Sequence, residues 1–319
     1  MLRSLTLASA LAASAGLTSG NITHKEHDSM TIETPSSKLV GRWAGNASFA
    51  VIGPNHIITT KHQGGGVGTT VIIDGDYYRV AEVINHPSAD MRICRIENHG
   101  GQPADLAEWA DIYDRADEMS RPFVIGGFGK DRGADVLYNG MKVGYQWGVR
   151  GNLNWGANVV SDTFGLGGSP VPNSLIGARW DPIDTSVPRE ATVADGDSGC
   201  GWFVLDDGQF KLIAITRAVQ FGSQARYGER FDGLRMSAFA DWIDSVLPEV
   251  VAEVPPAEPC GAVDFTEPFG SLTTTDVDAF VNAYFAGEPA AISLVEPLDL
   301  GTQLDVMEFV QQFMADCPN

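Results

Sequence analysis

The chain has 319 residues, and 21 Lys and Arg against 41 Asp and Glu give a formal net charge of −20. This length allows more than one domain and a sizeable hydrophobic core. The acidic excess argues against nucleic acid as a partner, because phosphate binding requires clusters of Lys and Arg.

The first twenty residues have the composition of a secretory signal peptide. Arg3 precedes an apolar run over residues 5–17, and residues 13–16 offer small side chains for cleavage. The run is too short for a membrane span, so we expect a secreted protein, periplasmic or extracellular. The alternative is a disordered or membrane-anchoring start. Residues 21–38 are polar and aperiodic, which predicts a flexible leader or pro-segment.

Short runs rich in Val, Ile and Thr alternate with glycine-rich turns over residues 40–96, a pattern typical of a small β-barrel. Residues 100–121 predict a crossing loop, with a helical turn within 105–114. A second strand-rich block covers 122–235, and helical spacing predicts a helix over 236–247. The predicted strands are 48–52, 57–60, 69–73, 78–84, 91–96, 124–128, 142–149, 201–205 and 212–218.

The sequence Gly196-Asp197-Ser198-Gly199 forms a glycine-rich turn before an apolar strand. A serine becomes a strong nucleophile only when a base removes its proton and donors stabilise the oxyanion. Glycines on both sides let the backbone turn tightly, so the amides of Gly196 and Ser198 can point at one spot. Ser198 is therefore the candidate nucleophile, and these two amides are the candidate oxyanion hole.

Two upstream segments offer a base and an orienting acid. His62 ends a β-branched strand, and Asp90 opens a strand that alternates apolar and basic residues. A buried carboxylate there can accept a hydrogen bond from the imidazole and fix its tautomer. Four competing residues suit turns instead: His56, His86, Asp74 and Asp76.

The order His62, Asp90, Ser198 is that of the chymotrypsin-like proteases and differs from that of α/β-hydrolases and subtilisins. From about residue 40 to about residue 247, the chain resembles this chymotrypsin and trypsin family. The matching runs are Thr59-Thr60-Lys61-His62 for its Thr-Ala-Ala-His, Asp90-Met91-Arg92-Ile93 for its Asp-Ile-Ala-Leu, its GDSG, Phe128-Gly129 for its Trp-Gly, and Ala238-Phe239-Ala240-Asp241-Trp242-Ile243 for its closing helix.

The resemblance implies an all-β fold of two packed six-stranded antiparallel β-barrels with a C-terminal helix. It also implies that Asp197 is structural, pairing with a buried cation that holds the oxyanion loop. Either cleavage at Leu39-Val40-Gly41 supplies that cation as a new N-terminus, or an internal arginine does. Both alternatives are open at this point.

The resemblance also outlines a specificity pocket. The family's pocket base lies six residues before the nucleophile, which here is Thr192 and not an acid. Thr216 and Ala218 lie on the matching substrate strand and complete the predicted pocket. Such a neutral pocket disfavours Lys and Arg before the scissile bond and favours a small or apolar side chain. Arg217, where the family has an aromatic residue, would favour acidic groups.

Four cysteines occur in the chain. Cys260 and Cys317 bracket the last segment, and in an oxidising compartment they predict a disulfide. Cys94 and Cys200 lie near the proposed acid and nucleophile. They either pair or remain as two buried thiols.

The end of the chain differs in composition. Residues 248–259 are proline-rich and predict a semi-rigid linker. Residues 260–319 contain an internal repeat, 276–281 matching 305–310, and predict a small α-helical accessory domain. The repeat and cysteines resemble a dockerin-like module. Because its loops depart from the EF-hand calcium pattern, we expect a helical pair without metal that attaches the enzyme to a surface or scaffold partner.

These features predict a secreted serine endopeptidase that acts on a protein or peptide substrate and needs no cofactor. His62 takes the proton as Ser198 attacks the peptide carbonyl, Asp90 orients His62, and water hydrolyses the acyl-enzyme. The alternative is a catalytically silent protease fold that serves in binding or adhesion. The predicted domain plan is signal peptide 1–20, leader 21–38, protease domain 39–247, linker 248–259 and helical module 260–319.

Overall fold

The computed structural model of the protein describes residues 20–45, 47–166, 170–183, 187–220, 222–247, 263, 265, 272, 274–288, 291, 294 and 302–315. The chain divides into two compact units, Met1–Leu247 and Pro248–Asn319. No helix among the described residues is long and apolar enough to cross a membrane.

Six antiparallel strands at the start of the first unit close into a barrel in the order β2-β3-β4-β7-β6-β5. Along β3, Phe49 and Val51 point into the barrel interior, whereas Ala50 and Ile52 face a second core shared with the rest of the unit. This alternation explains why every residue of the strand is buried. The barrel strands are β2 Val40–Trp43, β3 Ala47–Gly53, β4 His56–Thr60, β5 Thr70–Ile73, β6 Asp76–Asn85 and β7 Met91–Glu97.

The second half of the unit is an open sheet in the order β12-β9-β16-β17-β19-β14-β13, with β8 paired to β17. Trp202 fills its core, stacked on Phe123 and edge-on to Phe231. A smaller sheet has the order β10-β11-β18. The strands are β8 Asp111–Ile112, β9 Pro122–Gly127, β10 Lys130–Tyr138, β11 Met141–Arg150, β12 Asn154–Val159, β13 Asp162–Phe164, β14 Leu175–Arg179, β16 Gly201–Asp206, β17 Gln209–Val219, β18 Gln224–Arg226 and β19 Arg230–Arg235.

The prediction of an all-β architecture with a C-terminal helix is confirmed: the first predicted barrel is closed by six strands, and the open sheet forms a half-barrel in place of the second. Each predicted strand is present, and helix α1 spans Ala240–Val246 after a short 3-10 turn at Met236–Ala238. The helical turn predicted within 105–114 is wrong, because that described segment instead contributes β8 beside β17.

A continuous apolar core joins the two sheets. It contains Ile58 and Met91 from the barrel, Phe203 and Ile215 from the second sheet, and Ile243 from α1, all buried. Burial of this shared surface fixes the position of one sheet against the other. Any site built from both sheets therefore depends on this core.

The segment predicted as a flexible leader is packed into the first unit. Its strand β1, Ile22–Thr23, pairs antiparallel with β15, Ala191–Thr192. Ile22 is fully buried in a cluster with Trp180 and Ala194, and His24 stacks on Trp180 with ring centroids 4.1 Å apart. Aromatic stacking and strand pairing thus give order to a segment whose sequence has no periodicity. The predicted domain boundaries themselves stay predictions.

A tight turn before β7 positions Asp90. The buried His86 ring accepts hydrogen bonds at Nδ1 from the amides of Ser88 and Ala89, at 3.1 and 2.8 Å. Burial, and secondarily the charge of Lys61, lowers the pKa of His86 below its usual value. A neutral imidazole is required for Nδ1 to accept, so this ring has the structural role predicted for a turn histidine.

Cys94 and Cys200 are both free and buried. Cys94 lies in the core of the barrel and Cys200 in the core of the second sheet. Burial raises the pKa of Cys94 to about 12 and that of Cys200 well above its usual value. Of the two alternatives, buried thiols therefore hold for this pair, and such protonated thiols are poor nucleophiles. Cys260 and Cys317 lie outside the described residues.

The second unit contains two helices, α2 Thr274–Ala286 and α3 Gln303–Ala315. Phe280 and Phe309, which occupy matching positions of the repeat, stack with ring centroids 3.9 Å apart. The matching acids make equivalent contacts: Asp276 accepts a hydrogen bond from the backbone amide of Phe265, and Asp305 accepts one from the backbone amide of Leu294. The two helices therefore pack together through matching aromatic residues, and each acid accepts a hydrogen bond from the segment before its helix.

We expect Ile22→Ala to lower the free energy of unfolding by about 2–5 kcal/mol, because it removes a fully buried side chain from a packed cluster. Met30→Ala, in the same segment but 41% exposed, is the matched control. It should change stability by less than about 0.5 kcal/mol. Denaturant unfolding measures both, and equal effects of the two changes would contradict the packing described for this segment.

We expect the stability supplied by neutral His86 to be complete above its ordinary pKa of 6.5 and to be lost as pH falls through its lowered pKa. In that window the unfolded chain binds the proton first. His86→Asn keeps an acceptor for the Ser88 and Ala89 amides but does not titrate. Thermal unfolding between about pH 7 and about pH 5 should show a smaller loss in this variant than in the wild type. Parallel pH profiles would contradict this role.

Candidate active site

Three predicted residues meet in a hydrogen-bonded chain. His62 Nδ1 lies 2.6 Å from Asp90 Oδ2, and His62 Nε2 lies 2.7 Å from Ser198 Oγ. With the proton on Nδ1 donated to the carboxylate, Nε2 is free to accept from the serine hydroxyl. The arrangement is that of a base between its nucleophile and its orienting acid.

The backbone also holds Asp90 in place. Its Oδ1 accepts the amides of Lys61 and His62, each at 3.0 Å. Burial raises the pKa of Asp90, but hydrogen bonds to the imidazole, the attraction of His62 and these two amides together bring it below its usual value. Asp90 is thus held as a carboxylate, the form that can accept from His62.

Strand geometry separates His62 from its competitor. His56 begins β4 and is buried opposite Arg95, whereas His62 follows the other end of the strand. At that end Thr60 pairs with Met91, so the chain after β4 lies beside the residue that precedes β7. The register therefore brings His62, and not His56, to Asp90.

The amides predicted as an oxyanion hole are unoccupied donors. No acceptor among the described residues takes the amide hydrogen of Gly196 or Ser198. Gly196 has φ of 96° and Gly199 has φ of 84°, both in the left-handed region. A β-carbon on Gly199 would lie 2.2 Å from Thr59 Oγ1, so only glycine fits there. The turn thus leaves two backbone donors free beside a candidate nucleophile.

Asp197 is fully buried and serves the loop structurally. Its Oδ1 accepts the amide of Gly129 at 2.8 Å, and its Oδ2 accepts that of Ala194 at 2.9 Å. Burial raises the pKa of Asp197 to about 7, although both amides and the charge of Arg150 act in the opposite direction. No cationic side chain in the described part of the chain lies within ion-pairing distance of it, and Arg150 itself pairs with Asp195 at 3.6 Å.

The two candidate sources of a cation for Asp197 differ in position. Val40 is buried within the barrel, where it pairs with Ala50. In contrast, the charge of Arg150 acts on the Asp197 carboxylate, and a β-carbon on the adjacent Gly196 would lie 3.0 Å from Arg150 Nη1. Arg150 forms its ion pair with Asp195 and not with Asp197, so both alternatives for the cation stay predictions.

The predicted pocket residues are largely engaged by the protein itself. Thr192 is buried, and its backbone pairs with Ile22. Thr216 Oγ1 accepts from Trp202 Nε1 at 2.8 Å and lies 3.0 Å from Cys200 Sγ. Ala218 is half-buried on the same strand. Their side chains are neutral, and the role of these residues in specificity stays a prediction.

Arg217 does not offer a free charge. Its Nε and Nη2 donate to the two carboxylate oxygens of Asp232, at 2.7 and 2.8 Å. The bidentate pair joins neighbouring strands β17 and β19 and neutralises the guanidinium. The expectation that Arg217 favours acidic substrate groups loses its basis. Sequence reasoning missed Asp232, since nothing in the sequence pairs two residues fifteen positions apart.

No group of three His, Cys, Asp or Glu side chains suited to hold a metal ion occurs in the described part of the chain. The chemistry that the site can perform with its own groups is proton transfer from Ser198 to His62 and stabilisation of an oxyanion by backbone amides.

No protein-family model matches this chain, and no curated protein matches it. Among solved structures, the chain is similar to neuropsin, described as a serine protease expressed in the limbic system of mouse brain. The TM-score is 0.50 at 14% identity, over 66% of this chain and 95% of that chain. Identity this low carries the fold alone. The protein therefore has a chymotrypsin-like fold.

Proposed function

We propose that the protein is a serine endopeptidase whose catalytic residues are His62, Asp90 and Ser198. The observation that carries the proposal is the continuous hydrogen-bonded chain from Asp90 through His62 to Ser198. Ser198 Oγ attacks the peptide carbonyl while His62 Nε2 takes its proton, and Asp90 stabilises the imidazolium that forms. His62 then gives the proton to the leaving amine, and the cycle repeats with water on the acyl-enzyme.

The amides of Gly196 and Ser198 support the same proposal. They remain without an acceptor among the described residues, and a carbonyl carbon attacked by Ser198 places its oxygen beside them. Preorganised donors stabilise the tetrahedral oxyanion more than the ground-state carbonyl, and this difference is what accelerates the reaction.

The rival proposal is a silent protease fold used for binding. Accessibility favours the enzyme: the His62 side chain is 43% exposed and Ser198 is half-buried, so a substrate can reach both. Arg217, which lies on the predicted substrate strand, donates two hydrogen bonds to Asp232 and offers no free charge to a binding partner. The rival offers no reason for an aligned triad beside two unoccupied amides.

Export and the end of the chain belong to the same proposal. Secretion is proposed from the composition of residues 1–20. The dockerin-like likeness rests on the repeat and the cysteines, and the disulfide Cys260–Cys317 is proposed for an oxidising compartment. We propose that this acidic module, which lacks Lys and Arg, attaches the enzyme to a surface or scaffold.

We expect Ser198→Ala to reduce peptide hydrolysis by about 10⁴-fold or more while leaving the melting temperature close to that of the wild type. The hydroxyl performs chemistry but fills little volume. His62→Ala should cause a loss of the same order. His56→Ala is the matched control, because it removes a histidine of the same strand region outside the hydrogen-bonded chain, and it should keep most activity. Undiminished turnover in purified Ser198→Ala would refute the assignment.

We expect peptides with Lys or Arg before the scissile bond not to be preferred, because Thr192 supplies no carboxylate to pair with a buried cation. The nearest acid along the chain, Glu190, is buried against His24, with His24 Nε2 3.4 Å from Glu190 Oε2. Cleavage of a peptide library, read by mass spectrometry, should show small or apolar residues at that position. A profile dominated by basic residues would falsify this neutral-pocket prediction.

A further inference from the structure

We propose that Ser48 is a positioning residue that holds the oxyanion loop in its donor-ready conformation. The proposal rests on the proposed peptidase function and assigns a role to a side chain that does not touch substrate. Ser48 lies in β3 of the barrel, whereas the loop belongs to the second sheet. The residue is fully buried at their junction.

Every hydrogen-bonding group of Ser48 has a partner at or beside the loop. Its amide donates to the carbonyl of Ser198 at 2.9 Å, and its hydroxyl donates to the carbonyl of Gly196 at 2.9 Å. The same hydroxyl accepts a hydrogen bond from the backbone amide of Phe128 at 3.1 Å. The backbone carbonyl of Ser48 accepts one from Thr59 Oγ1 at 2.8 Å. One buried serine therefore contacts both ends of the Gly196–Ser198 run.

The direction of the hydroxyl proton is fixed by its surroundings. The backbone amide of Phe128 can only donate, so Ser48 Oγ must accept from it and give its own hydrogen to the Gly196 carbonyl. Gly196 is buried, and a buried carbonyl that loses its donor is left unsatisfied. The hydroxyl is thus the specific donor for one loop carbonyl.

The four successive carbonyls of the loop are all anchored, and Ser48 anchors two of them. The Lys130 amide donates a hydrogen bond to the Asp195 carbonyl at 2.8 Å, and the Cys200 amide donates one to the Asp197 carbonyl at 2.9 Å. Each of these peptide units also carries a candidate oxyanion donor, because the planar peptide places the Gly196 amide opposite the Asp195 carbonyl and the Ser198 amide opposite the Asp197 carbonyl.

Ser48 donates hydrogen bonds to the carbonyls of Gly196 and Ser198, which belong to the peptide units that directly follow those two donor amides. The peptide that joins Gly196 to Asp197 lies between the two donor amides. Its carbonyl accepts a hydrogen bond from Ser48 Oγ, and its amide donates one to the Ala194 carbonyl at 3.1 Å. Gly196 has little steric resistance to rotation. Removal of the hydroxyl leaves the Gly196 carbonyl without its donor, and the loop is expected to rotate toward another partner and turn the Gly196 amide away.

The test compares Ser48→Ala, Ser48→Gly and the control Ser237→Ala with the wild-type chain. Ser237 also donates a side-chain hydrogen bond, to Glu118 at 2.5 Å, but does not contact the loop. The readouts are melting temperature, kcat and KM on a peptide amide, and inhibition by a peptide aldehyde. The aldehyde forms a tetrahedral adduct with an active serine and therefore reports on oxyanion binding.

We expect both Ser48 variants to lower kcat by about 10- to 100-fold with KM within about twofold of the wild type. Aldehyde affinity should fall by the same factor as kcat/KM, and the pH profile should keep its shape because His62 is unchanged. Ser237→Ala should leave all three kinetic readouts unchanged. The second variant keeps the test valid if Ser48→Ala alone fails to fold.

Two results would overturn the proposal in distinguishable ways. An active wild type with kcat and aldehyde affinity unaffected in folded Ser48 variants, or with a rise in KM alone, overturns the role of Ser48 and leaves the peptidase intact. A folded wild type that neither hydrolyses peptides nor binds the aldehyde overturns the proposed function and this inference with it.

Discussion

The contact between His62 Nε2 and Ser198 Oγ crosses the junction between the barrel and the second sheet. His62 and Asp90 come from the barrel, whereas Ser198 comes from the turn before β16. A distance of 2.7 Å can persist only if the two sheets are fixed against each other. The apolar core shared by both sheets supplies that constraint, so side chains that take no part in the chemistry set the geometry of the site.

The apolar core fixes the two sheets against each other, and buried polar side chains then fix the oxyanion loop between them. Asp197 ties the oxyanion loop to the turn at Gly129, and Ser48 ties the same loop to the barrel. Both side chains are fully buried and satisfy backbone groups that water cannot reach. The resulting network is costly to break at any one point, because each lost partner leaves a buried donor or acceptor unpaired. It holds the two free amides without itself occupying them.

Local patterns in the sequence predict the residues that carry the chemistry of the site. They do not predict most of the contacts that hold those residues in place. His62, Asp90 and Ser198 each stand at the end of a strand or in a glycine-rich turn, and such positions are visible in a few neighbouring residues. The roles of Ser48 and of Asp232 depend on partners far away along the chain or on a neighbouring strand, and no local pattern encodes them. The same reason applies to β1, whose order comes from pairing with residues about 170 positions away.

The proposed function requires Ser198 to be an activated nucleophile. The most direct measurement is the reaction of the full-length wild-type chain with a peptidyl phosphonate, followed by mass spectrometry to find the modified residue. A phosphonate reacts with a serine whose proton is removed by a base and whose oxyanion is stabilised. We expect a single adduct on Ser198. An unmodified protein, or an adduct on another residue, would contradict it.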